Sequence, residues 1–249
     1  SLFETYRYLS VTEQAYNLIF LASCEEEISG KNGIESVLKQ LPPITLGIVG
    51  EPTEMHPAIA EKGLMVLDVY AHGKAGHAAR NEGENAIYKA LDDIQWFRSY
   101  QFPNESPLLG PVKMSVTQIN AGIQHNVIPD ICSFVVDIRS NECYSNEELF
   151  NEICSHVQCE TKARSFRLNS SHINIEHPFV KRAIQLGRIP FGSPTLSDQA
   201  LMRFPSVKIG PGKSSRSHTA DEYILLSEIE EAIKTYIKIL DGLVIKQSL

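Results

Sequence analysis

Apolar residues fall at positions 2, 3, 6 and 9 of the opening SLFETYRYL, a helical spacing. No N-cap or turn precedes them, so the stretch reads as the middle of a helix and the sequence as a portion of a longer one. Residues 16–23 (YNLIFLAS) form a short, almost unbroken apolar run, which predicts a strand buried on both faces of a parallel sheet. A helix over 32–40 and a second buried strand over 45–49 follow. Helix, strand, helix, strand is the order of an α/β layer, in which ligands gather beyond the carboxyl ends of the strands.

From Gly63 the texture changes. A partly alternating strand is predicted over 64–71, an amphipathic helix over 85–100, and strands over 112–121 and 128–139. Ser145 followed three residues later by Glu148 has the form of a capping box, opening a helix over 146–157. A final strand over 161–168 completes the order β-α-β-β-α-β, that of a ferredoxin-like module. Beyond it come a helix over 178–187, a short strand over 207–209 and a closing helix over 226–240. That last helix carries apolar residues at 226, 229, 233, 236, 237 and 240. The fold class expected is α/β: one domain from residues 1–62 and 169–249, interrupted by an inserted module at 63–168.

Composition narrows the setting. With 249 residues, 43% of them hydrophobic, the chain can bury a sizeable core. Its 23 Lys and Arg against 30 Asp and Glu give a net charge of −7 without any basic run, so nucleic acid is not an expected partner. No apolar stretch approaches the ~20 residues of a membrane span, and no signal pattern opens the sequence. Five cysteines, at 24, 132, 143, 154 and 159, are odd in number and form no Cys-x-x-Cys pair. Reduced thiols and a cytoplasmic location are expected.

Three segments carry candidate chemistry. Glu25-Glu26-Glu27 follows the first predicted strand and precedes Ile28-Ser29-Gly30. Adjacent carboxylates repel unless a cation or proton compensates, so the run is either a solvated acidic loop or a metal-facing pair. In Gly50-Glu51-Pro52-Thr53, Pro52 biases Glu51 away from helix at the next strand end. Its side chain points either to water or into the same site. The polar loop 214–222 places His218 between Gly210-Pro211-Gly212 and a helix; a loop His is either solvated or part of an active site.

Taken in order with Gly73-Lys74-Ala75-Gly76-His77-Ala78-Ala79 and Asn126-Val127-Ile128-Pro129, these motifs resemble one family. It is the co-catalytic zinc aminoacylase and peptidase family of acetylornithine deacetylase and succinyl-diaminopimelate desuccinylase. The resemblance runs from about residue 14 to 240 and implies a zinc-peptidase-like catalytic domain, N-terminally incomplete, with an inserted ferredoxin-like dimerisation or lid domain. It implies hydrolysis of the amide bond of an N-acyl amino acid by a homodimer holding two zinc ions, with cobalt or manganese as substitutes. Glu26 is then the general base; Glu27 and His218 ligate one zinc and Glu51 the other. His77 polarises the amide oxygen in the partner's site, Asn126 and Arg139 bind substrate, and Gly212 brings backbone close to it. Glu61-Lys62-Gly63 resembles the acetylornithine deacetylase branch, hence arginine biosynthesis; desuccinylases and dipeptidases share the other motifs.

One departure stands out. The family pattern also requires a His-x-Asp and a second Asp segment upstream of the glutamates, and neither is found in this sequence. The expectation is missing chain rather than different chemistry, with weak zinc binding by these residues alone. The reading of another class is a non-catalytic dimerising fragment.

Overall fold

The computed structural model describes residues 1–80 and 82–245. The chain divides into two compact units, Ser1–Glu61 with Ser171–Leu249, and Lys62–Ser170. In chain order the first unit opens with α1 (Leu2–Leu9), α2 (Ile34–Leu38), β1 (Gly47–Val49) and β2 (Ala58–Glu61). The inserted unit holds β3 (Met65–His72), β4 (Gly76–His77), α3 (Ala86–Ser99), β5 (Lys113–Ala121), β6 (Val127–Ile128), β7 (Ile131–Arg139), α4 (Asn146–His156) and β8 (Glu160–Ala163). The first unit then resumes with β9 (Ser171–His172), α5 (Pro178–Gln185), β10 (Phe191–Ser193), β11 (Ser206–Lys208) and α6 (Leu226–Leu240).

The first unit is built on a sheet of order β1-β11-β2-β10, with β9 also paired to β2. β1 with β11 and β2 with β10 run parallel, whereas β11–β2 and β2–β9 are antiparallel. The sheet is therefore mixed, not the parallel sheet expected. Its core joins Ile59, Val207 and Ile209 to Phe179 and Val180 of α5 and to Tyr236 and Ile239 of α6. The buried stripe of α6 is Ala232, Thr235, Tyr236, Ile239 and Leu240, while Leu226 is exposed. The apolar positions read from the sequence share only Tyr236 and Leu240 with that face; the small Ala232, the hydroxyl-bearing Thr235 and Ile239 complete it. Arg182 closes the helix by donating to the carbonyls of Ile239, Asp241 and Gly242 at 2.6–2.9 Å.

Residues 16–23 do not form the expected strand. A strand requires a hydrogen-bonded neighbour, and none is paired with this segment among the described residues. It is held instead by side chains: the Tyr16 hydroxyl donates to the Leu240 carbonyl at 2.8 Å, and Phe20 meets the rings of Phe3 and Tyr6 at 5.3 and 5.8 Å. Its apolar character reports these contacts rather than a ladder.

The inserted unit has a four-stranded antiparallel sheet of order β5-β7-β3-β8, the first strand lying between the third and fourth as in a ferredoxin-like module. Alternation decides which face is covered: Met65, Leu67, Val69 and Ala71 of β3 and Cys132, Phe134, Val136 and Ile138 of β7 are buried. They share one core with Ala86, Ala90 and Phe97 of α3 and Leu149 and Ile153 of α4. The capping box at Ser145 and Glu148 is formed. The last strand stops at Ala163, well short of residue 168. Past it, Arg164 turns to a bidentate pair with Asp68 at 2.8 and 2.9 Å.

Candidate active site

Strand β1 ends at Val49 and delivers Glu51 from its carboxyl end. The turn that follows is clamped to the Gly210-Pro211-Gly212 segment leaving β11. Thr53 and Met55 donate backbone N–H groups to the Gly210 carbonyl, Glu54 donates to that of Gly212, and the Gly210 N–H donates to the Thr53 hydroxyl, all at 2.8–3.2 Å. The fit admits only glycine at 210, since a Cβ there would lie 2.5 Å from the Glu51 carbonyl oxygen. The Gly-Pro-Gly segment thus shapes the Glu51 turn, and Gly212 itself sits with φ of 84° near Ile224 and Pro52.

The second segment forms a short 3-10 turn, Glu26–Ile28, bracketed by Glu25 and Ser29, both in the left-handed region at φ 59° and 47°. The turn follows residues 16–23, which form no strand, so these carboxylates do not leave the end of a strand. The third segment brings in His218, also left-handed at φ 59°, with its N–H held by the Glu222 carboxylate at 2.9 Å. Among the described residues the other non-glycine positions with positive φ are Glu54 and Met55. Glu25, Ser29 and His218 therefore lie in segments singled out for chemistry, and Glu54 and Met55 directly follow the Gly50–Thr53 motif. Each such residue costs roughly 1–3 kcal/mol and persists only where its surroundings impose it, a pattern characteristic of functional sites.

These segments converge. His218 Nε2 lies 3.8 Å from Glu27 Oε2, both side chains being largely exposed. Burial raises Glu26 to about 7, with further upward pressure from Glu51, Glu27, Asp198 and Glu61. Burial also raises Glu51, opposed by Lys208 and His218 and reinforced by Glu27 and Asp198. The arrangement is a cluster of like charges that a cation would relieve. Carboxylate oxygen and imidazole nitrogen suit zinc, and Glu27 with His218 can face one ion. Yet among the described residues no three His, Cys, Asp or Glu side chains stand close enough to hold a metal. The donors present make part of a site.

Asp198 and Lys208 were not singled out from the sequence, and Glu61 was noted only within Glu61-Lys62-Gly63. Asp198 accepts the Ser23 hydroxyl at 2.7 Å, and a fully buried Glu61 pairs with Lys208 at 3.2 Å. The signal for the first was Ser197-Asp198 after Pro194-Thr195, an N-cap pattern. The second pair joins charges at the ends of two apolar strands, which local patterning cannot match up.

In the inserted unit, β4 and β6 form a small ribbon pairing Gly76 with Ile128 and His77 with Val127. The Ala78 N–H donates to the Asn126 carbonyl at 3.0 Å, so exposed His77 and Asn126 are neighbours. The Ala79 N–H donates to His77 Nδ1 at 3.1 Å, which leaves Nε2 to carry the ring proton when the imidazole is neutral. Arg139, ending β7, is engaged bidentately by Asp137 at 2.8 and 3.0 Å.

Loops presenting carboxylates and an imidazole thus stand on one α/β unit, into which a ferredoxin-like module is inserted. Residues 59–164 match the peptidase dimerisation domain. A peptidase M20 domain-containing protein of Schizosaccharomyces pombe is 28% identical over 233 residues, 91% of this chain and 55% of that protein. A [LysW]-lysine/[LysW]-ornithine hydrolase of Sulfurisphaera tokodaii is 27% identical over 95% of this chain and 69% of its own length. A succinyl-diaminopimelate desuccinylase of Wolbachia pipientis is 28% identical over 55% of this chain and 37% of its own. The chain thus spans little more than half the length of the first of these relatives. Among solved structures, aminopeptidase PepT of Bacillus cereus superposes with a TM-score of 0.73 at 16% identity, covering 96% of this chain and 68% of that one. A dinuclear metal-binding peptidase of the M20 family from Bacillus subtilis gives 0.59 at 19%, covering 87% and 62%. The chain has the mixed α/β fold of M20 peptidases with their dimerisation domain, and its relatives are hydrolases. No helix among the described residues is long and apolar enough to cross a membrane.

Proposed function

We propose that this chain carries the general base and part of the metal site of a zinc-dependent hydrolase acting on the amide bond of N-acyl amino acids. Acetylornithine is the proposed substrate, in arginine biosynthesis. The observation that carries the reading is the convergence of Glu26, Glu27, Glu51 and His218 from three segments that contain or directly precede left-handed non-glycine residues. Glu27 and His218 would hold one zinc and Glu51 the other. Zinc bound there would supply Lewis acidity to polarise the amide carbonyl and acidify water. Glu26, raised to about 7, accepts the proton of the attacking water and returns it to the departing amine.

In a homodimer assembled through the inserted domain, His77 of one protomer donates from Nε2 to the developing oxyanion in the other's site. Asn126 hydrogen-bonds the substrate, Gly212 borders it, and Arg139 exchanges Asp137 for the substrate carboxylate. The relative that hydrolyses a lysine or ornithine conjugate favours an ornithine-like amine product. Five free thiols suit the cytoplasm.

A second reading, desuccinylation of succinyl-diaminopimelate, is favoured by the Wolbachia relative. The partial donor set favours a third, a non-catalytic dimerising fragment. The test supplies N-acetylornithine, N-succinyl-diaminopimelate and a free dipeptide to the chain at saturating zinc, with Glu26→Gln as control. Release of ornithine that Glu26→Gln abolishes supports the proposal. Preference for the succinylated substrate selects the second reading, preference for the dipeptide sinks both, and no Glu26-dependent release even when a His-x-Asp-bearing segment is supplied upstream selects the fragment.

A further inference from the structure

The pair formed by Glu61 and Lys208 takes no part in that chemistry, yet it is among the most buried charge in the first unit, at 0% and 4% exposure. A buried pair is weak evidence for stability, because desolvation offsets its attraction. Its hydrogen bonds show a different use. Lys208 Nζ, at the end of β11, also donates to the carbonyl and hydroxyl oxygens of Thr195 at 3.1 Å each. Glu61, at the end of β2, accepts the Ser197 hydroxyl at 2.8 Å and the Ser197 N–H at 3.3 Å. Ser197 in turn caps the 3-10 turn Asp198–Leu201 through the Gln199 N–H. The first residue of that turn is Asp198, whose carboxylate accepts the hydroxyl of Ser23. Ser23 lies two residues before Glu25, where the strained turn carrying Glu26 and Glu27 begins.

We infer that the Lys208–Glu61 pair is a positioning device, which fixes residues 195–198 so that Asp198 anchors Ser23 and thereby the Glu26–Glu27 turn. The turn needs such an anchor. Its flanking residues are left-handed, and among the described residues neither it nor the segment before it is paired in a sheet. Glu61 and Lys208 touch no reacting atom; they act through Ser197, Asp198 and Ser23. The inference rests on the hydrolase reading only for its kinetic consequence, since the anchoring is a statement about local order.

Hydrogen exchange read by mass spectrometry over residues 23–30, on the whole chain, tests it without any substrate. Ser23→Ala, at an exposed position, is expected to raise exchange across the turn roughly tenfold, the effect of losing one hydrogen bond to a charged group, with global stability unchanged. Ser23→Thr, which keeps the hydroxyl, restores protection. The paired replacement Glu61→Leu with Lys208→Met removes both charges together, so neither is left buried alone. It is expected to stay folded by circular dichroism, to loosen the same residues, and to show no further loosening when combined with Ser23→Ala. In the hydrolysis assay the same variants lower kcat with KM unchanged. Unaltered exchange at 23–30 in a folded paired variant, or additive loosening with Ser23→Ala, overturns the inference. Loosened exchange together with no hydrolysis, even when a His-x-Asp-bearing segment is supplied upstream, leaves the anchoring intact and removes the hydrolase reading instead.

Discussion

Glu27 Oε2 and His218 Nε2 come within 3.8 Å although 190 residues separate them, and both side chains remain open to solvent. A carboxylate and an imidazole so placed present two zinc donors to one point, and among the described residues no third donor joins them. Two donors on exposed side chains bind a metal weakly, because most of the ion's water is retained. Zinc titration of this chain is therefore expected to show weak binding that either His218→Ala or Glu27→Gln abolishes. Two tightly held zinc ions per chain would contradict this.

Glycine at 210 is required by contact, not by flexibility. A methyl group there would meet the Glu51 carbonyl oxygen at 2.5 Å, and both partners are backbone, which cannot swing away. Gly210→Ala is expected to cost about 1–3 kcal/mol, the range for overpacking a tight contact, and to displace Glu51. Denaturant unfolding measures the first effect; loss of residual hydrolysis at saturating zinc measures the second.

Much of the inserted unit was legible because its signals are local. Alternation in β3 and β7, the Ser145–Glu148 capping box and the helical spacing of α3 are all properties of a few adjacent residues. The turn at Glu51 and the loop at His218 were legible through their motifs. What escaped depends on distant partners. Residues 16–23 look like a buried strand because apolar content does not say whether a neighbour exists to pair with. The four residues of β2, joined to β9, β10 and β11, are too short to stand out, and the Glu61–Lys208 pair forms only once β2 and β11 lie side by side.

Asp93 shows what a buried carboxylate does without chemistry. At 4% exposure on α3 it accepts the N–H groups of Gln158 and Cys159 at 2.8–3.1 Å, just beyond the end of α4. Asp93→Ala strands those donors, and an unsatisfied buried donor costs about 1–3 kcal/mol. Urea unfolding of the variant is expected to show a loss of that size, with zinc binding in the other unit unchanged.

The link between Asp68 on β3 and Arg164 titrates. The guanidinium holds the Asp68 carboxyl below its ordinary value, chiefly by hydrogen bonding. A carboxylate lowered on folding stabilises above its unfolded pKa, and that contribution is lost as pH falls through the folded value. With both groups partly exposed, the pair is worth roughly 0.5–1 kcal/mol. Asp68→Asn is expected to lower stability by that amount at pH 7 and to match the wild type below the Asp68 pKa. Stability curves measured from pH 7 downward check the convergence.

The placement of His77 makes a prediction about subunits. Its ring is oriented by the Ala79 N–H on Nδ1 and stands on an exposed ribbon of the inserted unit. If each site takes Glu26 from one protomer and His77 from the other, Glu26→Gln and His77→Ala homodimers are each inactive, every site lacking one group. Loss of a general base alone removes about 10²–10⁴-fold in rate. Unfolding and refolding the two variants together forms mixed dimers in which one site keeps both groups while the other loses both. Hydrolysis at saturating zinc is then expected to reappear in the mixture, and only after exchange of subunits. Activity that stays absent in verified mixed dimers, or a His77→Ala homodimer with undiminished kcat, would place the oxyanion donor elsewhere.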